Sequence, residues 1–159
     1  MSKPISNKIL RHHAAWVLVV RENPSQNEKS ILGIAKSSED VFHLVRQRIL
    51  AEQCEVMYVV CLDGRNRVTH LSEVERGGLH GCSVSPRDIL RVVLMCGASA
   101  FILVHNHPSG DPTPSGEDIT MTKKVEQAAK LVGVPLVDHI IIASWEKHSS
   151  LLDLGHIDS

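Results

Sequence analysis

Ala100-Phe101-Ile102-Leu103-Val104-His105-Asn106-His107-Pro108-Ser109-Gly110-Asp111-Pro112-Thr113-Pro114-Ser115-Gly116-Glu117-Asp118 is the stretch on which the fold turns. Ala100–Val104 is an unbroken apolar run of strand length, which marks a buried strand. His105–Ser115 gathers proline, glycine and polar residues, a loop composition. Ser115 then opens a helix as its N-cap, and Ile119, Thr122, Val125, Ala129 and Val132 recur along one face. Downstream, Val134–Ala143 reads as a further strand interrupted by Asp138-His139, followed by a short element at Leu151–Leu154.

The same alternation extends upstream. Ser85-Pro86-Arg87-Asp88 is a helix start with serine at the N-cap, proline at N1 and an acid at N3, and Ile89, Val92, Val93 and Cys96 give that helix an apolar stripe. Glu55–Leu62 is apolar after its first residue and reads as a buried strand, Asp63-Gly64-Arg65-Asn66 is a turn, and Arg67–Val74 returns, so the pair reads as a hairpin broken by Gly77-Gly78. Ser37-Ser38-Glu39-Asp40 opens another helix with Val41, Leu44, Val45 and Ile49 at helical spacing, after a short apolar run at Ile31–Ala35 read as a possible strand. Trp16–Val20 reads as a strand ended by the turn cluster Asn23–Asn27, and Met1–His13 reads as a loose polar leader. Strands alternating with helices predict one α/β domain around a mixed sheet.

Composition narrows the function classes. Seventeen Lys and Arg against 18 Asp and Glu leave a formal charge of −1 over 159 residues, so no global positive field exists to hold nucleic acid. The apolar run Ala14–Val20 stops at Arg21-Glu22, short of the roughly 20 residues that span a bilayer. The four cysteines, Cys54, Cys61, Cys82 and Cys96, include no Cys-x-x-Cys pair, which disfavours a disulfide scaffold and suits a reducing cytoplasm. Ten histidines are the unusual figure, and two of them bracket Asn106.

His105 and His107, one residue apart at the end of a strand, project to the same side because strand side chains alternate. Asp118 lies three residues past Ser115, in the first helical turn, where its carboxylate can face back toward the loop. Two imidazoles and a carboxylate are the three protein ligands of a catalytic zinc, with the fourth position left to water. Each also has a bland reading: the histidines as hydrogen-bonded loop residues, Asp118 as the acid of a capping box with Ser115. Asn106 points to the other face and braces the loop. Metal-activated water needs a base. Glu55, the charged residue opening the strand that ends at Leu62, is the candidate; spacing alone leaves it open as an exposed strand-end acid, and Glu52 and Asp63 compete.

The stretch His105–Asp118 resembles the JAMM (JAB/MPN+) metalloprotease signature in the form found in the RadC family. The similarity extends to Val84–Asp88, to Leu136–Ile142, and to Glu55 with its apolar strand. The resemblance implies a single JAB/MPN domain, a cytidine-deaminase-like α/β/α sandwich with a central mixed sheet, over residues 31–159, behind a leader with a possible first strand at 1–30. It implies one zinc ion per chain held by His105, His107 and Asp118, with Glu55 as general base and Ser115 as hydrogen-bond donor to the transition state. The expected reaction is hydrolysis of a peptide or isopeptide bond in an unidentified protein or peptide substrate. Asp88 stands where the family more often has Glu. Longer members carry a helix-hairpin-helix segment that residues 1–30 do not match, so the DNA-repair association arrives with the family name alone.

Two other classes stay open on sequence. A nucleic-acid enzyme is one, although the zinc deaminases need His-x-Glu with Pro-Cys-x-x-Cys, absent here, and the 3% aromatic content offers little stacking surface. A non-catalytic JAB/MPN interaction module is the other. Asp138-His139 is read as a buried polar pair closing its own hydrogen bonds, with a role in orienting a ligand histidine as the alternative. His80-x-Cys82 is a weak metal pair, and Lys123, Lys124 and Lys130 form a solvated helix face.

Overall fold

The computed structural model describes residues 9–12 and 15–18 as backbone, and 32–77 and 84–158 in full. The elements run β1 (Ile9–His12), β2 (Ala15–Leu18), α1 (Ser38–Ile49), β3 (Val56–Leu62), β4 (Val68–Arg76), α2 (Pro86–Met95), β5 (Ala100–Asn106), α3 (Gly116–Val132), β6 (Leu136–Ile142) and β7 (His148–Ser150). The strands form one sheet in the order β1-β2-β4-β3-β5-β6-β7. β5 and β6 are parallel and joined through α3; the other neighbouring pairs are antiparallel.

Strand alternation sorts the core into two layers. Met57, Val59, Cys61, Phe101, Leu103 and Ile141 face α2 and α3, where Ile89, Val92, Val93, Val125 and Ala129 meet them. Val56, Tyr58, Val60, Leu62, Ile102, Val104, Ile140 and Ile142 face the other way, onto Val41, Phe42, Val45 and Ile49 of α1. Both faces are covered, which is why β3 and β5 read as continuous apolar runs rather than alternating ones. The result is the expected α/β/α domain with a mixed sheet.

Each helix starts where a serine can accept a backbone N–H: Ser37 from Asp40, Ser85 from Asp88, Ser115 from Asp118. α3 ends at Gly133, whose φ of 73° is the left-handed conformation that a glycine adopts without a Cβ penalty.

Four expectations need correction. Ile9–His12 is a strand paired antiparallel with β2, so the leader reading of Met1–His13 fails there; residues 1–8 lie outside the described residues. The strand expected at Ile31–Ala35 reduces, over its described part, to a single bridge between Ile34 and Arg67. β6 runs unbroken through Asp138 and His139, because both side chains find buried partners. The tail element expected at Leu151–Leu154 is turn, and the strand there is β7, just before it. Val19, Val20, Asn23–Asn27 and His80-x-Cys82 lie outside the described residues. Among the described residues, no helix is long and apolar enough to cross a membrane.

Candidate metal centre

The site lies where the carboxyl end of β5 runs into the loop before α3. Odd-numbered β5 residues face α3, so His105 continues the side set by Phe101 and Leu103 and meets the first turn of that helix. His105 Nε2 and His107 Nε2 are 2.9 Å apart. Asp118 Oδ1 is 3.3 Å from the first and Asp118 Oδ2 is 3.5 Å from the second. Ligand atoms of all three residues fall within 4.8 Å of one another.

His107 Nδ1 lies 2.8 Å from the carbonyl oxygen of Asp111, which can only accept, so this nitrogen carries the hydrogen. A neutral His107 therefore turns a bare Nε2 toward His105 and the carboxylate. Converging acceptors of this kind need a cation between them. A proton serves in part: the hydrogen bond to Asp118 raises the His107 pKa above its usual value despite opposing burial, with smaller contributions from Asp111 and Glu55. Burial opposes ionisation of Asp118, but His107, His105 and the Ser115 hydrogen bonds together hold its carboxyl well below the usual range. His105 is buried deeply enough that its pKa falls to about 4, so it is a neutral imidazole at neutral pH. Two imidazoles and one ionised carboxylate can hold a divalent metal ion.

The capping box between Ser115 and Asp118 is present, and the same carboxylate also faces the two histidines. Asp118 Oδ2 accepts from Ser115 N at 2.8 Å and from Ser115 Oγ at 2.6 Å, while Oδ1 faces His105. The cap fixes the carboxylate rotamer and so keeps Asp118 facing His105 and His107. It also commits the Ser115 hydroxyl proton to Asp118, so donation to a substrate requires that hydroxyl to rotate.

Glu55 reaches the site through sheet register. β3 and β5 are antiparallel with Met57 opposite His105, and extending that register by two residues sets Glu55 opposite His107. Asn106 holds this segment in place. It points to the opposite face, as expected, but it braces the start of β3 rather than the loop: Oδ1 accepts from Val56 N at 2.8 Å, and Nδ2 donates to the Cys54 carbonyl at 3.1 Å. Glu55 is thus bracketed on both sides by one buried amide.

The competitors for Glu55 are committed elsewhere. Glu52 pairs with Arg76, which also holds Glu73, and the Arg76 hydrogen bond lowers its pKa. Asp63 sits at the far end of β3, bonded to Arg67 at 2.6 Å. Glu55, His105, His107, Ser115 and Asp118 all line one open cleft of about 1060 Å³, whose apolar wall includes Met57, Val84 and Met121. That volume lies at the top of the small-molecule range, enough for a chain segment to enter.

A family model for the RadC-like JAB domain matches residues 35–156. The chain belongs to the RadC family. Among relatives in that family, a UPF0758 protein of Methanosarcina barkeri is 37% identical over 121 residues, 76% of this chain and 52% of its own length. A UPF0758 protein of Syntrophomonas wolfei is 41% identical over 113 residues, covering 69% of this chain and 48% of the relative. One from Carboxydothermus hydrogenoformans is 42% identical over 104 residues. This RadC-family chain spans about half the length of these curated relatives.

Sequence reasoning underrated two residues of this RadC-type domain. Asp138 behaves as the bland reading held: it accepts from Ser150 Oγ, Leu152 N and His139 N, clasping the turn after β7. His139 does not close on itself. Its ring is fully buried between His105, at 2.8 Å, and the Thr122 hydroxyl, at 2.6 Å. Thr122 was placed on the inward face of α3 by periodicity alone; the missed signal was a hydroxyl four residues after Asp118, able to bond back to its carbonyl.

Proposed function

We propose that this chain is a zinc-dependent hydrolase of the JAMM type that cleaves a peptide or isopeptide bond in a protein or peptide substrate. The observation carrying the reading is the convergence of His105 Nε2, His107 Nε2 and the Asp118 carboxylate on one point at the edge of a cleft that Glu55 also lines. Zinc suits two imidazoles and a carboxylate, and membership of the RadC family supports it. When bound, the ion lowers the pKa of its water from about 15.7 toward ~7 and polarises a carbonyl.

The protein's own residues do the rest. His105, His107 and Asp118 would hold the ion from a strand end and a helix start, in the cleft that Glu55 and Ser115 also line. Glu55 accepts the proton of the attacking water and returns it to the leaving amine nitrogen as the carbon–nitrogen bond breaks. Ser115 Oγ, turning from Asp118, donates to the oxyanion formed on the substrate carbonyl. Arg76 keeps Glu52 from competing with Glu55 as the base. Free thiols at Cys54, Cys61 and Cys96 support placing the protein in the reducing cytoplasm.

The test is digestion of a defined library of linear and isopeptide-linked peptides, read by mass spectrometry. Zinc-loaded wild type is expected to cleave a subset, Glu55→Gln to retain about one zinc per chain without cleaving, and His107→Ala to lose both. Cleavage that persists in His107→Ala overturns the metal-hydrolase reading, and full activity in Glu55→Gln overturns the base assignment.

A further inference from the structure

Behind the metal centre a chain of hydrogen bonds runs from β5 through β6 to α3. His105 Nδ1 is 2.8 Å from His139 Nε2, His139 Nδ1 is 2.6 Å from Thr122 Oγ1, and Thr122 Oγ1 is 2.6 Å from the carbonyl oxygen of Asp118. His139 and Thr122 are 0% exposed and His105 is 3% exposed, so each link must be satisfied by the protein itself.

The direction of this chain follows from its last member. A carbonyl oxygen has no proton to give, and two oxygens so close must share one, so the Thr122 hydroxyl donates to Asp118. That hydroxyl has a single proton. Toward His139 its oxygen can only accept, and His139 Nδ1 therefore carries the hydrogen. A neutral His139 then presents a lone pair at Nε2, and His105 Nδ1 must donate to it. The neutral His105 is left with a bare Nε2, the atom that faces His107 and Asp118.

We infer that Thr122 and His139 are positioning residues that hold His105 in its Nδ1–H tautomer and keep the Nε2 lone pair aimed at the metal. The inference rests on the metal-site reading, and adds to it the device that readies the most buried ligand. An Nε2–H tautomer would set a hydrogen where the ion binds, and reaching it means reversing all three links, which the Asp118 carbonyl forbids. The chain also closes on itself: it starts at one ligand, His105, and ends on the backbone of another, Asp118. Partners that orient a ligand histidine in this way typically contribute 10–100-fold to metal affinity.

The test uses the full chain with 15N-labelled histidine, stripped of metal, at pH 8, with two-bond proton–nitrogen NMR to read each tautomer and His105→Ala to assign the His105 signal. The wild type is expected to show His105 and His139 both as Nδ1–H. Thr122→Val, which keeps the shape and removes the hydroxyl, is expected to mix the His105 tautomers and weaken zinc binding 10–100-fold in chelator competition. Thr122→Ser is expected to restore both. An Nε2–H His105 in the wild type overturns the inference, as does a Thr122→Val protein with unchanged tautomer and unchanged zinc affinity. Because the tautomer is read without metal, an Nδ1–H His105 in a chain that binds no zinc would uphold the relay and defeat the metal-site reading instead. If Thr122→Val does not fold, the wild-type tautomer still decides.

Discussion

Replacing Asn106 with alanine is expected to loosen Glu55 without touching a metal ligand. Asn106 is 2% exposed, and its amide serves two backbone groups, Val56 N and the Cys54 carbonyl. Truncation strands the Val56 N–H in a strand whose residue is 0% exposed, while the Cys54 carbonyl, in a half-buried residue, gains partial access to water. A stranded buried donor or acceptor costs about 1–3 kcal/mol, so the two together predict a loss of roughly 2–4 kcal/mol. For a domain of this size that corresponds to a melting temperature lower by about 5–15 °C. Asn106→Asp keeps the acceptor for Val56 but turns a carboxylate oxygen onto the Cys54 carbonyl, so it is expected to cost at least as much. The assay is thermal unfolding by circular dichroism of the two variants, with bound zinc measured alongside and turnover measured once a cleaved peptide is in hand. Zinc content is expected to stay near wild type at 25 °C while turnover falls. A melting temperature of Asn106→Ala within about 2 °C of wild type would refute this bracing of Glu55, since the orphaned Val56 N–H alone should exceed that shift.

Glu52→Gln is expected to leave turnover near wild type and to lower stability by no more than about 1 kcal/mol, the usual range for exposed ion pairs; loss of activity comparable to Glu55→Gln would move the base to Glu52. Ser115→Ala is expected to cut turnover about 10²–10³-fold and, through the lost N-cap, to cost about 1 kcal/mol, whereas an unchanged rate would remove Ser115 from the oxyanion site. Zinc affinity is expected to rise with pH and level off only above the ordinary histidine range. His107 has its pKa raised by Asp118, so below that value the ion must displace a proton. Chelator competition between pH 5.5 and 8.5 checks this, and a pH-independent affinity would contradict the His107–Asp118 pairing. In the metal-free protein the two groups pull stability in opposite directions: His107, raised, stabilises fully below ~6.5 and loses its contribution as pH rises through its folded pKa, while Asp118, depressed, stabilises above ~3.9 and loses its contribution as the pH falls.

Most of the fold was legible because helix starts and buried strands leave local marks. Ser37, Ser85 and Ser115 each announce a helix three residues before an N–H they cap, and the apolar runs of β3 and β5 are long enough to mark strands buried on both faces. β1 and β7 escaped notice because each is four residues or fewer, and β7 is the polar stretch His148-Ser149-Ser150, whose place is set by pairing with β6. Asp138 and His139 looked like a break because polarity inside an apolar run normally is one. Their partners, Ser150 and Thr122, are 12 and 17 residues away and carry no local sign. The three metal-ligand candidates were legible through their spacing around one strand end and one helix start. Glu55 was not decided by spacing, because its nearness to His107 depends on cross-strand register, and the exclusion of Glu52 depends on Arg76, 24 residues further along.

The most direct measurement is a zinc-edge anomalous difference map from crystals of the zinc-loaded protein. The account predicts one peak per chain, about 2.0–2.2 Å from His105 Nε2, His107 Nε2 and one Asp118 oxygen. A solvent atom should occupy the fourth position, within hydrogen-bond reach of the Glu55 carboxylate. A peak elsewhere, or a fourth position closed by a protein side chain, would contradict it.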